Sequence, residues 1–204
     1  MRRLFLGLFL GCSVGAGATP TMLHTMPIAD ILRHREVVLG TTLAGTERNI
    51  DSRIYHSNSG TVGLWDRLEI GWAHDYEKTT SFSVKALLFE NERGAVSAGV
   101  MSWRGDAIDP YVAARLDRGW FRLHLGWIRQ EGVSRGMIGF DADLGSGWTL
   151  MADHLSGPGS FTWVGFATEL PGLAGGSITL GLGIPSRRPD GFQGSFNVSY
   201  GFRF

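Results

Sequence analysis

From about Arg35 to the C-terminus, apolar residues recur at every second position in stretches separated by clusters of Gly, Asp, Asn, Ser and Pro. Alternation with period two is the mark of a strand whose two faces meet different surroundings. In 192–204, Phe196, Val198, Tyr200, Phe202 and Phe204 fall on one face, and Gln193, Ser195, Asn197, Ser199 and Arg203 on the other. The same split sets Phe82, Val84, Ala86 and Leu88 against Ser81, Ser83 and Lys85. It sets Leu123, Leu125 and Trp127 against Arg122, His124 and Gly126, and Ile178, Leu180 and Leu182 against Ser177, Thr179 and Gly181. The pattern predicts about twelve antiparallel strands: 35–45, 52–63, 67–76, 79–90, 95–103, 108–117, 120–130, 135–144, 147–156, 160–170, 176–186 and 192–204. The second is least regular, since Tyr55, His56, Asn58 and Gly60 fall within it, so counts of ten to twelve stay open. No helix of three turns is predicted beyond the first residues.

Met1-Arg2-Arg3, the apolar run Leu4–Leu10 and the small residues Ala16-Gly17-Ala18 read as a secretory signal peptide, leaving 19–204 as one domain. Cys12, the only cysteine, falls in that segment, so the mature chain has no disulfide; an alternative reading makes Cys12 a lipidation site. The 204 residues carry 19 basic and 19 acidic side chains, and Lys78 and Lys85 are the only lysines. A zero net charge gives no field to attract a phosphate backbone, which argues against nucleic acid as a partner. No apolar run reaches the roughly 18 residues of a membrane-spanning helix, so any bilayer crossing must use strands.

Periodicity alone does not say which face is inside. A soluble barrel or sandwich hides its apolar faces; a membrane barrel turns them to lipid and fills its interior with polar and small residues. Charge within the strands favours the second arrangement, with Arg67, Glu69, Lys85, Arg115, Asp117, Arg122, His124, Asp141, Asp143, Asp153 and Arg203 as candidate lumen-lining residues. Trp65, Trp72, Trp103, Trp120, Trp127, Trp148 and Trp163 lie mostly near strand ends, where interfacial aromatic girdles sit. The predicted fold is an all-β, antiparallel, up-and-down transmembrane β-barrel, closed because lipid cannot satisfy a free strand edge. The interior charges are then either a salt-bridge lattice that plugs the barrel or an aqueous lining. On this reading Arg at Val84, Leu123 or Leu180 costs more than Arg at Ser83 or Thr179.

The last strand, ending Tyr200-Gly201-Phe202-Arg203-Phe204, resembles the assembly signal of bacterial outer-membrane β-barrel proteins. Within that class, 63–71 and the segment from Gly147 to Gly165 are similar to hairpins of porin-like barrels of the YjbH and transporter type, and Thr19-Pro20-Thr21 with Pro27-Ile28-Ala29-Asp30 resembles their entry segment. The resemblance implies an outer-membrane location, lipid and the assembly machinery as partners, the latter through Tyr200, Phe202 and Phe204, and a porin-like role: passage of small polar solutes or an envelope or export-associated structural part. It brings no catalytic residues.

Candidate chemistry is sparse. The six histidines have no metal-site spacing, and no cofactor is called for. One enzymatic alternative is a barrel-embedded lipid hydrolase built on His154 and Ser156 with Asp153 or Glu169 as orienting group. Another alternative is a soluble ligand-binding barrel.

Overall fold

The computed structural model describes residues 22–46, 54–75, 79–105, 107–187 and 191–204; the predicted signal peptide lies outside them. Twelve strands run in chain order: β1 Glu36–Thr46, β2 Tyr55–Leu64, β3 Leu68–Asp75, β4 Thr80–Asn91, β5 Gly94–Arg104, β6 Ala107–Arg118, β7 Phe121–Gln130, β8 Val133–Gly145, β9 Trp148–Leu155, β10 Phe161–Glu169, β11 Gly176–Pro185 and β12 Gln193–Arg203. Each pairs antiparallel with its sequence neighbours, and β1 pairs with β12 from Glu36↔Arg203 to Thr46↔Gln193, closing the barrel. The irregular second strand is real: β2 pairs with β1 through Val37↔Val62 and with β3 through Ser57↔Asp75, which settles the count at twelve.

An even strand number brings the start of β1 and the end of β12 to one end, here called proximal. Most of the proximal turns are tight, as at 92–93, 119–120 and 146–147, and the one at 170–175 is longer. At 65–67 Trp65 and Asp66 both take the left-handed backbone (φ 53° and 56°) that matches the twist of a short hairpin.

Apolar side chains cover the outside. Ile70, Trp72, Phe82, Val84, Val112, Leu125, Phe166, Leu180 and Phe202 are exposed on it, while the alternate residues Glu69, Ser83, Lys85, Tyr111, His124, Asp153 and Thr179 are buried within. The outward tryptophans form two bands, Trp65, Trp120 and Trp148 proximally and Trp72, Trp103 and Trp127 towards the distal end. Trp163 departs from the expected girdle. It is an inward, buried residue of β10 and stacks on His24 with ring centroids 5.8 Å apart.

The interior is occupied by the chain itself. Residues 22–34 precede β1 and run through the barrel, with Met22, Leu23, His24, Met26, Ile28, Ala29 and Ile31 all buried. Three apolar clusters mark their course. Met22 and Met26 pack with Met101, Tyr111, Ile128, Met137 and Leu155 near the distal end. Leu23 and Ile28 meet Met151 and Ala167 at mid-height. Ala29 and Ile31 meet Leu87 and Ala95 proximally.

Candidate functional site

The site is the inner wall and the segment lying against it. Leu23 N–H donates to the Met26 carbonyl (3.1 Å) and Met22 bridges to Pro27, so the segment begins with a tight turn. Asp153, brought inward by the alternation of β9, holds that turn. Its carboxylate accepts from the backbone N–H of Thr25 (2.7 Å) and Met26 (3.0 Å) and from the Thr25 hydroxyl (3.2 Å). A carboxylate receiving several N–H groups is among the stronger hydrogen-bonded arrangements a protein can make.

Further along, Lys85 and Glu69 form a fully buried ion pair, Nζ to Oε2 2.9 Å, between adjacent strands where Glu69 is opposite Lys85. Both also serve the segment. Lys85 donates to the carbonyls of Asp30 and Ile28, Ser97 Oγ donates to the Ile28 carbonyl (3.4 Å), and Glu69 accepts from Leu32 N–H. The Asp30 carboxylate is held by Arg115 and by Arg122 (3.2 Å). Arg122 reaches on to Asp141 (2.7 Å), whose other oxygen bonds His124 Nε2 (2.6 Å), and Arg115 pairs with Asp117 (3.0 Å). The segment leaves the barrel at the proximal end, where His34 N–H donates to Asp66 (2.8 Å) and Arg33 pairs with Glu90 (3.3 Å).

Glycines shape the wall to the segment. A Cβ at Gly181 would stand 2.7 Å from the His24 ring and one at Gly165 2.5 Å from it, and at Gly139 it would meet Leu23. His24 fits between them, with no hydrogen-bond partner for either ring nitrogen among the described residues. Below Asp30 the barrel opens into a proximal vestibule of about 1260 Å³, lined in part by Arg33, Glu36, Glu90, Arg115, Arg122, Asp141, Asp143, Glu169 and Arg203.

Most of the sequence-predicted interior residues meet in this arrangement. Glu69, Lys85, Arg115, Asp117, Arg122, His124, Asp141 and Asp153 are on the inner face, and Asp143 and Arg203 border the vestibule. Arg67 does not line the interior: it is exposed in the tight turn between β2 and β3, outside the alternating strand register. The interior charges are neither a lattice closed on itself nor a plain aqueous lining, because several of them hold a peptide.

The hydrolase constellation is not assembled. His154 faces outward and contacts Thr162 (3.1 Å), Asp153 on the next position faces inward to the segment, and Glu169 lies at the opposite end of β10. The Ser156 hydroxyl accepts from Gly136 N–H (2.7 Å) as part of a turn.

Sequence reasoning missed the luminal role of residues 22–34, and with it Asp30, His24, Ser97 and the inward Trp163. A signal was present. Leu87, Met101, Tyr111, Ile128, Met137, Met151 and Leu155 place large apolar groups on the face that also carries Lys85, Arg115, Asp141 and Asp153, which a water-filled lumen would not need.

No protein-family model and no curated protein matches the chain. Among solved structures it is similar to the KdgM porin, with a TM-score of 0.58 at 9% identity over 82% of this chain and 99% of that one. It is likewise similar to the KdgM porin in complex with disordered oligogalacturonate, with a TM-score of 0.56 at 10% identity over 83% of this chain and 99% of that chain. At such identities the likeness is one of fold: this chain has the barrel architecture of porins.

Proposed function

We propose that the chain is a porin-like barrel of the bacterial outer membrane, passing small polar solutes by diffusion and having no catalytic role. The observation that supports this is the inverted wall: a closed barrel with an apolar exterior, two outer tryptophan bands and charge within. Its partners on this reading are membrane lipid and the assembly machinery, which would engage Tyr200, Phe202 and Phe204, exposed on the outer edge of the closing strand. Outer-membrane residence also requires export, which accords with the leader read in 1–18.

The vestibule sets the expected selectivity. Arg33, Arg115, Arg122 and Arg203 face Asp30, Glu36, Glu90, Asp141, Asp143 and Glu169, so the lining is mixed with an acidic excess and favours cations weakly. Planar-bilayer recordings test this. Replacing Arg115 and Arg122 together with Ser moves the reversal potential further towards cations, because their carboxylate partners then dominate the local field.

The filled interior favours a second reading, a structural envelope component. Wild-type protein that inserts correctly, migrates in its heat-modifiable folded form and never conducts would overturn the passage reading in favour of that one.

A further inference from the structure

Residues 22–32 touch the barrel without belonging to its sheet. Among the described residues they make no backbone-to-backbone hydrogen bond with any strand, and all twelve ladders close without them. Three pairs of the wall charges that hold or flank the segment are also paired on the wall itself, Lys85 with Glu69 at 2.9 Å, Arg115 with Asp117 at 3.0 Å and Arg122 with Asp141 at 2.7 Å, whereas the bonds of Asp153 run to the segment. Withdrawing the segment therefore leaves the sheet intact and those three pairs in place, and frees the Asp153 carboxylate as an acceptor.

The contacts themselves are those of peptide recognition. Asp153 and Glu69 accept from backbone N–H groups of Thr25, Met26 and Leu32, while Lys85 and Ser97 donate to the carbonyl of Ile28, and Lys85 also to that of Asp30. These bonds read a main chain rather than particular side chains. Selectivity comes from three further features: the Arg115 and Arg122 guanidinium groups on the Asp30 carboxylate, the glycine-lined recess that takes His24 against Trp163, and apolar contacts for Leu23 and Ile28.

We propose that the inner wall is a peptide-binding site, filled here in cis by residues 22–33, and that a peptide of the same chemistry, an apolar run interrupted by one carboxylate, can take that place in trans. The inference rests on the porin reading only for its consequence, namely that occupancy of the site narrows the lumen and lowers conduction. Binding itself stands on the wall geometry alone.

The test uses the full chain with residues 22–33 replaced by a Gly/Ser stretch of equal length, folded in detergent and checked by heat-modifiable migration. The probe is a fluorescently labelled synthetic peptide of residues 22–35. Saturable binding by fluorescence anisotropy is expected, at least about tenfold weaker when the peptide carries Asp30→Asn, and absent for a scrambled peptide. In bilayers the Gly/Ser variant conducts more than the wild type, and added peptide lowers its current. Binding without conduction would support the site and sink the porin reading. Conduction without binding would overturn the site and leave the porin reading standing. Should the Gly/Ser variant not fold, the full-length Asp30→Asn chain replaces it, and the wild-type peptide should displace its weakened segment. If that chain also fails to fold, or folds and takes up no peptide, the segment is a permanent part of the core and the proposal is overturned.

Discussion

On the inner wall, strands β3, β4 and β6 to β9 present Glu69, Lys85, Arg115, Arg122, His124, Asp141 and Asp153, whereas β1, β2, β11 and β12 present Thr42, Ser57, Thr179, Ser195, Asn197 and Ser199. Both halves are polar inside and apolar outside, yet they satisfy their polar groups differently. The hydroxyl half bonds within itself: Asn197 donates to Thr42 Oγ1 (2.9 Å) and to the Thr41 carbonyl (3.0 Å), and the Ser177 and Ser199 hydroxyls lie 2.7 Å apart, while the Ser195 hydroxyl has no partner among the described residues. The charged half instead reaches across the lumen to the segment. Small hydroxyls reach no further than the neighbouring strand, while longer charged side chains pair on the wall and still extend into the lumen as far as the segment.

That contrast is broken most sharply in the buried ion pair. Lys85→Met leaves the Glu69 carboxylate without its countercharge inside a filled interior, and a loss of about 3–5 kcal/mol is expected from urea titration of the folded barrel in detergent or vesicles. Full retention of stability would show that water reaches Glu69 and that the segment is loosely seated.

The outer face provides the control, because lipid should not distinguish the two halves. Val84→Arg behind the charged wall and Leu180→Arg behind the hydroxyl wall are each expected to cost about 2–4 kcal/mol near the midplane in the same titration. Inward Arg is not the mild change that an aqueous lumen implies. Ser83 and Thr179 are buried, so Arg there is expected to overpack the interior by about 1–3 kcal/mol, which narrows the contrast between faces.

Next in size is the recess at the boundary between the halves. Gly181→Ala sets a methyl against the His24 ring and the Ser195 hydroxyl and is expected to cost about 1–2 kcal/mol, of which His24→Ala restores the part due to the ring. A double-mutant cycle reads this coupling, and purely additive effects would place His24 elsewhere.

The smallest change is expected in the hydroxyl wall. Ser177→Ala removes one neutral hydrogen bond to Ser199 and should cost about 0.5–1.5 kcal/mol, with no change in ion preference in bilayer recordings.

The alternation of apolar and polar positions bounded the strand count at ten to twelve and determined the antiparallel order and which residues share a face, because a strand's side chains alternate whatever surrounds it. Hence Leu180 and Thr179 could be assigned to opposite faces, and Glu69, Lys85 and Asp153 to one, directly from their positions. Arg67 and Trp163 show the limits of that reasoning. The turn at Trp65-Asp66 takes Arg67 out of the strand register, and the inward face of Trp163 became meaningful only with His24 lying against it. Residues 22–34 carry no periodicity that names a partner, since their bonds run to Asp153, Ser97 and Arg122, far along the chain and on different strands. Only closure of the barrel brings those side chains around one axis, and so only the tertiary structure decided what fills it.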